Sequence, residues 1–181
     1  MTVRDKTATM ILEAASHVLA RRGEAGSMAE VASAAGVGRS TLYRHFPTRE
    51  ALLEELARAA LAEAGERMAE AHLESVSPLE ALARVIRTLV SVGDRYIVLF
   101  EAQVPIDLAV GERVVGAPVR RVLERGQAGG VIRADVDTEW LLGLLGGLIV
   151  SGLRFAVERQ AGIEETAATI QRVFVEGAGT R

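Results

Sequence analysis

The chain has 181 residues, 49% of them hydrophobic, 25% charged and 4% aromatic, with a formal net charge of −3. That length supports one compact unit or two small domains, and the acidic balance argues against a generally basic nucleic-acid binder. No cysteine is present, which excludes disulfides and thiol chemistry and suits a reducing compartment.

Residues 2–9 are polar and hold no apolar signal core. The most apolar run, Leu141 to Leu153, is shorter than the ~20 residues of a membrane span, so a soluble, cytoplasmic protein is expected. Charge is unevenly placed. Residues 1–49 carry seven Lys/Arg against four Asp/Glu, a net +3 that leaves −6 for the remainder. A positive head on an acidic body suits a protein that binds DNA one way round.

In chain order, Arg4 and Lys6 form a short basic arm ahead of the first helix. That helix carries Ile11, Leu12, Ala15, Val18 and Leu19 at helical spacing and stops at Gly23. Ser27 with Glu30 three residues later is a capping box that opens a second helix. Gly36 supplies the left-handed backbone of a sharp turn. A third helix follows from about Gly38 to His45. At 100° per residue Leu42 and Phe46 face a core, while Arg39, Ser40, Thr41, Tyr43, Arg44 and His45 spread over the other side. No Asp or Glu occurs between Val31 and Arg49. A helix–turn–helix whose second helix is basic and rich in hydroxyls suits the major groove of DNA.

Pro47-Thr48 breaks the chain, and Thr48 caps a long fourth helix to about Leu73. Ser77 and Pro78 open a fifth, interrupted at Gly93-Asp94, with a short sixth from Arg95 to Gln103. Pro105, Gly111, Gly116 and Pro118 disfavour a helix between Val104 and Pro118. A seventh is expected from Pro118 to Ala128, an eighth from Thr138 to about Gln160 capped by Asp137, and a ninth from Ile163 to Glu176. The eighth is apolar nearly all round, so a second subunit is expected to cover it. Gly143 and Gly147, one turn apart, let that helix approach closely. Strands and internal repeats are not expected.

The segments Ile11-Leu12-Glu13-Ala14-Ala15, Arg22-Gly23, Val31-Ala32, Ala35-Gly36-Val37, Thr41-Leu42-Tyr43, His45-Phe46 and Pro47-Thr48-Arg49-Glu50-Ala51-Leu52-Leu53 together resemble the TetR family of transcriptional regulators. Leu19 and Glu24 stand where that family favours aromatics, and Gly38 where it favours Ser. The resemblance covers roughly residues 8 to 56. It implies an all-α homodimer with a helix-turn-helix DNA-binding domain at 1–50 and a ligand-binding and dimerisation domain at 51–181, about nine helices in all. It also implies a repressor released from a palindromic operator by a small effector.

The DNA-binding set is Ser27, Arg39, Ser40, Thr41, Tyr43, Arg44, His45, Thr48 and Arg49. Arg39, Ser40, Thr41 and Arg44 are expected at base edges or nearby phosphates; the resemblance gives Ser27, Tyr43, His45 and Arg49 to the DNA backbone. Scarce aromatics point to a mostly apolar effector, with Tyr96, Phe100, Gln103, Arg121, Trp140 and Leu144 as candidate pocket residues. Gly143, Gly147, Val150, Leu153, Ile170 and Phe174 are the expected dimer interface. The switch expected is a sixth helix that shifts about Gly93-Asp94 and swings the fourth.

Other classes fit less well. The three histidines are far apart without a metal-ligand neighbour at i+3 or i+4. No phosphate-cradling glycine loop or nucleophile elbow occurs, so neither an enzyme nor a cofactor or metal is expected. A dimeric DNA-binding protein without an effector shares the head but leaves the C-terminal glycines unused.

Overall fold

A computed structural model describes residues 3–102 and 104–179. The chain is all-α. Its helices are α1 (Val3–Arg22), α2 (Met28–Ala34), α3 (Arg39–His45), α4 (Arg49–Glu70), α5 (Pro78–Arg95), α6 (Ile97–Glu101), α7, α8 (Thr138–Arg159) and α9 (Ile163–Ala178). Three consecutive segments, Leu108–Gly111, Glu112–Gly116 and Ala117–Ala128, make up α7. The only extended pairing among the described residues is one antiparallel bridge between Ile132 and Gly179.

The contacts divide the chain into two compact units. One gathers Met1–Ala60 with Arg95–Asp107, the other Leu61–Asp94 with Leu108–Arg181, so α4 contributes to both. In the first unit α1 packs on α2, α2 on α3, and α6 lies against α1 and the Gly23–Ala25 turn. Ile11, Ala15, Leu19, Val31, Leu42, Leu52 and Leu56 form its core. A Cβ at Gly26 would approach Leu19 Cδ2 to 2.8 Å. An aliphatic side chain at position 19 therefore leaves just enough room for the chain to pass.

In the second unit α8 buries a single stripe of Leu141, Leu145, Ile149, Leu153 and Ala156. It packs on α7 and α9. The buried stripe of α9 is Thr166, Ala167, Ile170, Phe174 and Ala178. A Cβ at Gly152 would come within 2.6 Å of Ile170 Cδ1, so α8 and α9 cross closely there.

Four sequence expectations change. Gly93-Asp94 does not interrupt α5, which continues to Arg95. Gly93 is buried, and a Cβ on it would overlap Leu153 Cδ1; its small size serves a close approach to α8, not a break. The joint lies instead at Tyr96, which is non-helical with φ −113° and ψ 22°. Residues 108–116, expected to be irregular, are helical. The proline at 118 is accommodated because the preceding turn winds wide, with the Ala117 N–H bonded to the Glu112 carbonyl five residues back. Pro118 brings no N–H of its own to that ladder.

The basic arm is the third change, because α1 reaches back to Val3. Lys6 is exposed, and the Arg4 side chain lies outside the described residues. The last concerns membrane length. At 22 residues α8 is long and apolar enough to cross a bilayer by length and composition alone. Counting only the uninterrupted apolar run hid this. Its buried stripe is that of a core helix, and its remaining apolar surface is open.

Gly93→Ala should lower stability by about 1–3 kcal/mol, because the buried Leu153 must leave its rotamer. Adding Leu153→Ala should cost less in that background than in wild type. Urea midpoints at constant m-value check both expectations.

Candidate nucleic-acid interface

The helix–turn–helix is built from two end motifs. At the start of α2 the Ser27 hydroxyl accepts from the Glu30 N–H at 3.2 Å, while the Ser27 N–H donates to Glu30 Oε2 at 2.8 Å. This reciprocal box satisfies two of the free donors at the helix start. Arg22, at the end of α1, pairs with Glu30 at 3.2 Å. The hydrogen bonds from Ser27, backbone first and then side chain, hold the Glu30 carboxyl below the ordinary glutamate range, aided by Arg22.

At the other end, α2 closes with two reversed bonds. The Gly36 N–H donates to the Ser33 carbonyl at 3.1 Å and the Val37 N–H to Ala32 at 3.0 Å. That pairing requires a left-handed residue between them, and Gly36 has φ +66°. No atom lies within 4 Å of where its Cβ would stand. Conformation, not crowding, therefore demands glycine here.

Leu42 is fully buried and Phe46 nearly so, which fixes how α3 is rotated. Taking Arg39 as zero, Tyr43, Ser40 and Arg44 follow within an arc of about 140° at 100° per residue. All four are exposed. Thr41 and His45 flank the arc and are half-buried. This open face carries two guanidiniums, an aliphatic hydroxyl and a phenol, with no carboxylate.

The other expected DNA residues are occupied within the protein. The Thr48 hydroxyl caps α4, accepting from the Ala51 N–H at 3.1 Å. The Ser27 hydroxyl is engaged in the box. The Arg49 guanidinium donates to the Gly26 carbonyl, tying the start of α4 to the turn before α2. Arg22 stands beside Gly23 in the family pattern, but its partnership with Glu30 crosses a turn whose path the spacing does not reveal.

The expected pocket residues are not gathered in one place. Tyr96 is buried in the first unit. Arg121 lines a cleft with Met68 and Leu73 and pairs with Glu74 at 3.5 Å. Trp140 and Leu144 are exposed on α8, 71% and 55%. The Phe100 side chain and Gln103 lie outside the described residues.

The dimer set also divides. Leu153, Ile170 and Phe174 are buried within the subunit and present no surface to a partner. Val150 is half-buried, while Gly143 and Gly147 are exposed with open space around them. A stripe of mixed apolar residues at helical spacing cannot reveal which side its own subunit takes.

A family model described as "Bacterial regulatory proteins, tetR family" matches residues 11–56. The transcriptional regulator NfxB of Pseudomonas aeruginosa is 30% identical over 164 residues, 84% of both chains. The chain belongs to the TetR family. The repressor LfrR of Mycolicibacterium smegmatis is 38% identical over 111 residues, 59% of this chain. Those residues span 54% of that repressor's length. The crystal structure of LfrR in complex with proflavine superposes with a TM-score of 0.78 at 26% identity, covering 97% of this chain and 99% of that one. In this TetR-family chain the matched segment begins at the α1 core and ends in α4, so it contains the whole open face of α3.

Two changes test the frame beneath that face. Ser27→Ala should cost about 1 kcal/mol. Because the Glu30 carboxyl is lowered in the folded chain, its contribution is complete above the unfolded value near 4.5. It should fade as the pH falls through the lower, native value. Thermal unfolding from pH 6 to 3 should show a shallower acid loss for Glu30→Gln than for wild type.

Proposed function

We propose that this TetR-family chain is a ligand-responsive transcriptional regulator, a repressor that leaves a palindromic operator when a small molecule binds. The open, acid-free face of Arg39, Ser40, Tyr43 and Arg44 carries this reading. Guanidiniums address guanine edges or phosphates, and the two hydroxyls suit bases or backbone. Thr48, Arg49 and Ser27 hold the frame, while the helix ends they cap can still offer backbone N–H groups to phosphates. His45 and Thr41 border the face. A DNA regulator of this kind works in the cytoplasm and needs neither cofactor nor catalytic residues.

Homodimerisation is part of the proposal. Trp140, Gly143, Leu144 and Gly147 form an exposed apolar strip along α8; Phe155 of the same helix and Val173 of α9 are also open, 59% and 52% exposed. A two-fold pairing of this strip would present two α3 helices to successive major grooves, about 34–36 Å apart or a multiple of that. The LfrR structure that holds proflavine supports a small-molecule effector. Movement of α6 about Tyr96 is the proposed link to DNA, since α6 lies against α1 in the same unit as α3. A coupling of about 1–3 kcal/mol would shift DNA affinity roughly 5–150-fold.

Duplexes selected from a random library should yield a rough palindrome. Arg39→Ala should lose about 1–3 kcal/mol and relax preference at one base pair. Tyr43→Phe should weaken all sequences alike if its hydroxyl serves a phosphate. Unchanged affinity for both variants in fluorescence anisotropy would overturn the assignment.

Gly147→Ala separates partner from subunit. With nothing near its Cβ position in the subunit, the change should gain up to about 1 kcal/mol of helix propensity. A loss of stability that grows on dilution, with dissociation in sedimentation equilibrium, would mark the strip as the interface. A wild type that is monomeric at micromolar concentration would refute the dimer.

A further inference from the structure

We infer that the cleft between the C-terminal end of α4, the 71–77 turn and the wide turn of α7 binds the effector, and that the effector is an amphipathic organic anion: an apolar body ending in a carboxylate. The inference rests on the proposed regulator function and changes the chemistry that scarce aromatics suggested.

The cleft is open to solvent and has a volume of about 580 Å³, within the roughly 300–1,000 Å³ typical of small-molecule sites. Met68 and Leu73, both buried, line it with Gly65 and Ala69, facing Val114 and Pro118 of α7. It narrows where the helices meet: Val114 Cβ lies 3.2 Å from where a Cβ of Gly65 would stand. This apolar interior suits a hydrocarbon or aromatic body.

The charged lining is unbalanced. Arg113 and Arg121 line the cleft with a single carboxylate, Glu74. Glu74 is already divided between Arg121 at 3.5 Å and Arg125 at 2.9 Å. Arg125 also donates to the carbonyls of Leu73 at 2.9 Å and Val76 at 2.6 Å, fastening the turn to α7. The acid nearest Arg113 in sequence, Glu112, is turned away to Arg120, which bridges it to Glu139. Gly116 makes that possible, because a Cβ there would overlap the Glu112 carboxylate. Arg113 is thus exposed with no ion-pair or hydrogen-bond partner among the described residues.

A guanidinium so placed at the edge of an apolar cleft can take a carboxylate through two parallel N–H bonds. His72, which also lines the cleft, has a left-handed backbone, φ 47°. Strain of that kind clusters at ligand sites, as do wide helical turns. A second cleft, of about 590 Å³, shows the contrast. Its three guanidiniums, Arg67, Arg84 and Arg87, are paired with Glu63, Glu80 and Glu164, so it has no cation left for an anion.

The test is calorimetric titration of the full chain with decanoate and 2-naphthoate, each against its neutral match, decanol and 2-naphthol. At least one carboxylate should bind about tenfold or more tightly than its alcohol, as one charge-assisted pair allows. Arg113→Glu, a change at an exposed position, should abolish that preference while circular dichroism stays unchanged, and Arg113→Lys should keep part of it. Absence of carboxylate binding, equal affinity for the alcohols, or an unaffected Arg113→Glu variant would overturn the inference. Library-selected DNA separates the two readings. Retained DNA binding with failed titrations defeats the anion site alone. Titrations that depend on Arg113, in a chain that selects no duplex, uphold the site and defeat the regulator.

Discussion

The left-handed backbone at Gly36 is the constraint on which the functional surface depends. It ends α2 and turns the chain so that α3 begins three residues later with Leu42 aimed at the core. Once Leu42 and Phe46 are buried, helical geometry leaves no freedom in the placement of the others. Arg39, Ser40, Tyr43 and Arg44 must share the open side. The Ser27–Glu30 box, the Arg22 pair and the Arg49 tie to Gly26 then brace both ends of the motif. Each tie alone contributes modestly; together they hold the rotation and entry angle of a seven-residue helix that could not persist in isolation.

The second unit is organised around α8. One stripe of this helix is spent on the subunit's own core, and the close approaches at Gly93 and Gly152 bring α5 and α9 against it. The opposite side stays apolar and open, with glycines that touch nothing. The same residue type therefore has two uses along one helix pair. Gly152 answers a neighbour already present, whereas Gly143 and Gly147 have open space around them. An apolar face of this kind is costly to leave in water.

The wide turn of α7 decides which charges face the cleft. Pro118 cannot donate to the helix ladder, and the extra residue in the turn separates the fates of two neighbouring side chains. Glu112 is drawn to Arg120 and so to the first turn of α8; Arg113 remains beside the cleft. A local irregularity thereby sorts charge, leaving beside the cleft a cation that no carboxylate among the described residues pairs with.

The helical class, most helix ends and the head were legible from local rules alone. Caps, a glycine turn and the 3.6-residue period are local rules, and between Ser27 and Phe46 local rules are nearly sufficient. They failed where one chemical signal has two physical causes. Gly93 read as a break because the sequence cannot distinguish a residue needed for flexibility from one needed for closeness. Pro118 read as a helix start because a widened turn is a tertiary accommodation. Leu153, Ile170 and Phe174 read as an interface because periodicity marks an apolar stripe without saying which neighbour covers it. Arg113 carried no signal at all. Its unpaired charge exists only because Glu112 and Glu74 are held elsewhere, and which carboxylate meets which guanidinium is decided by packing in three dimensions.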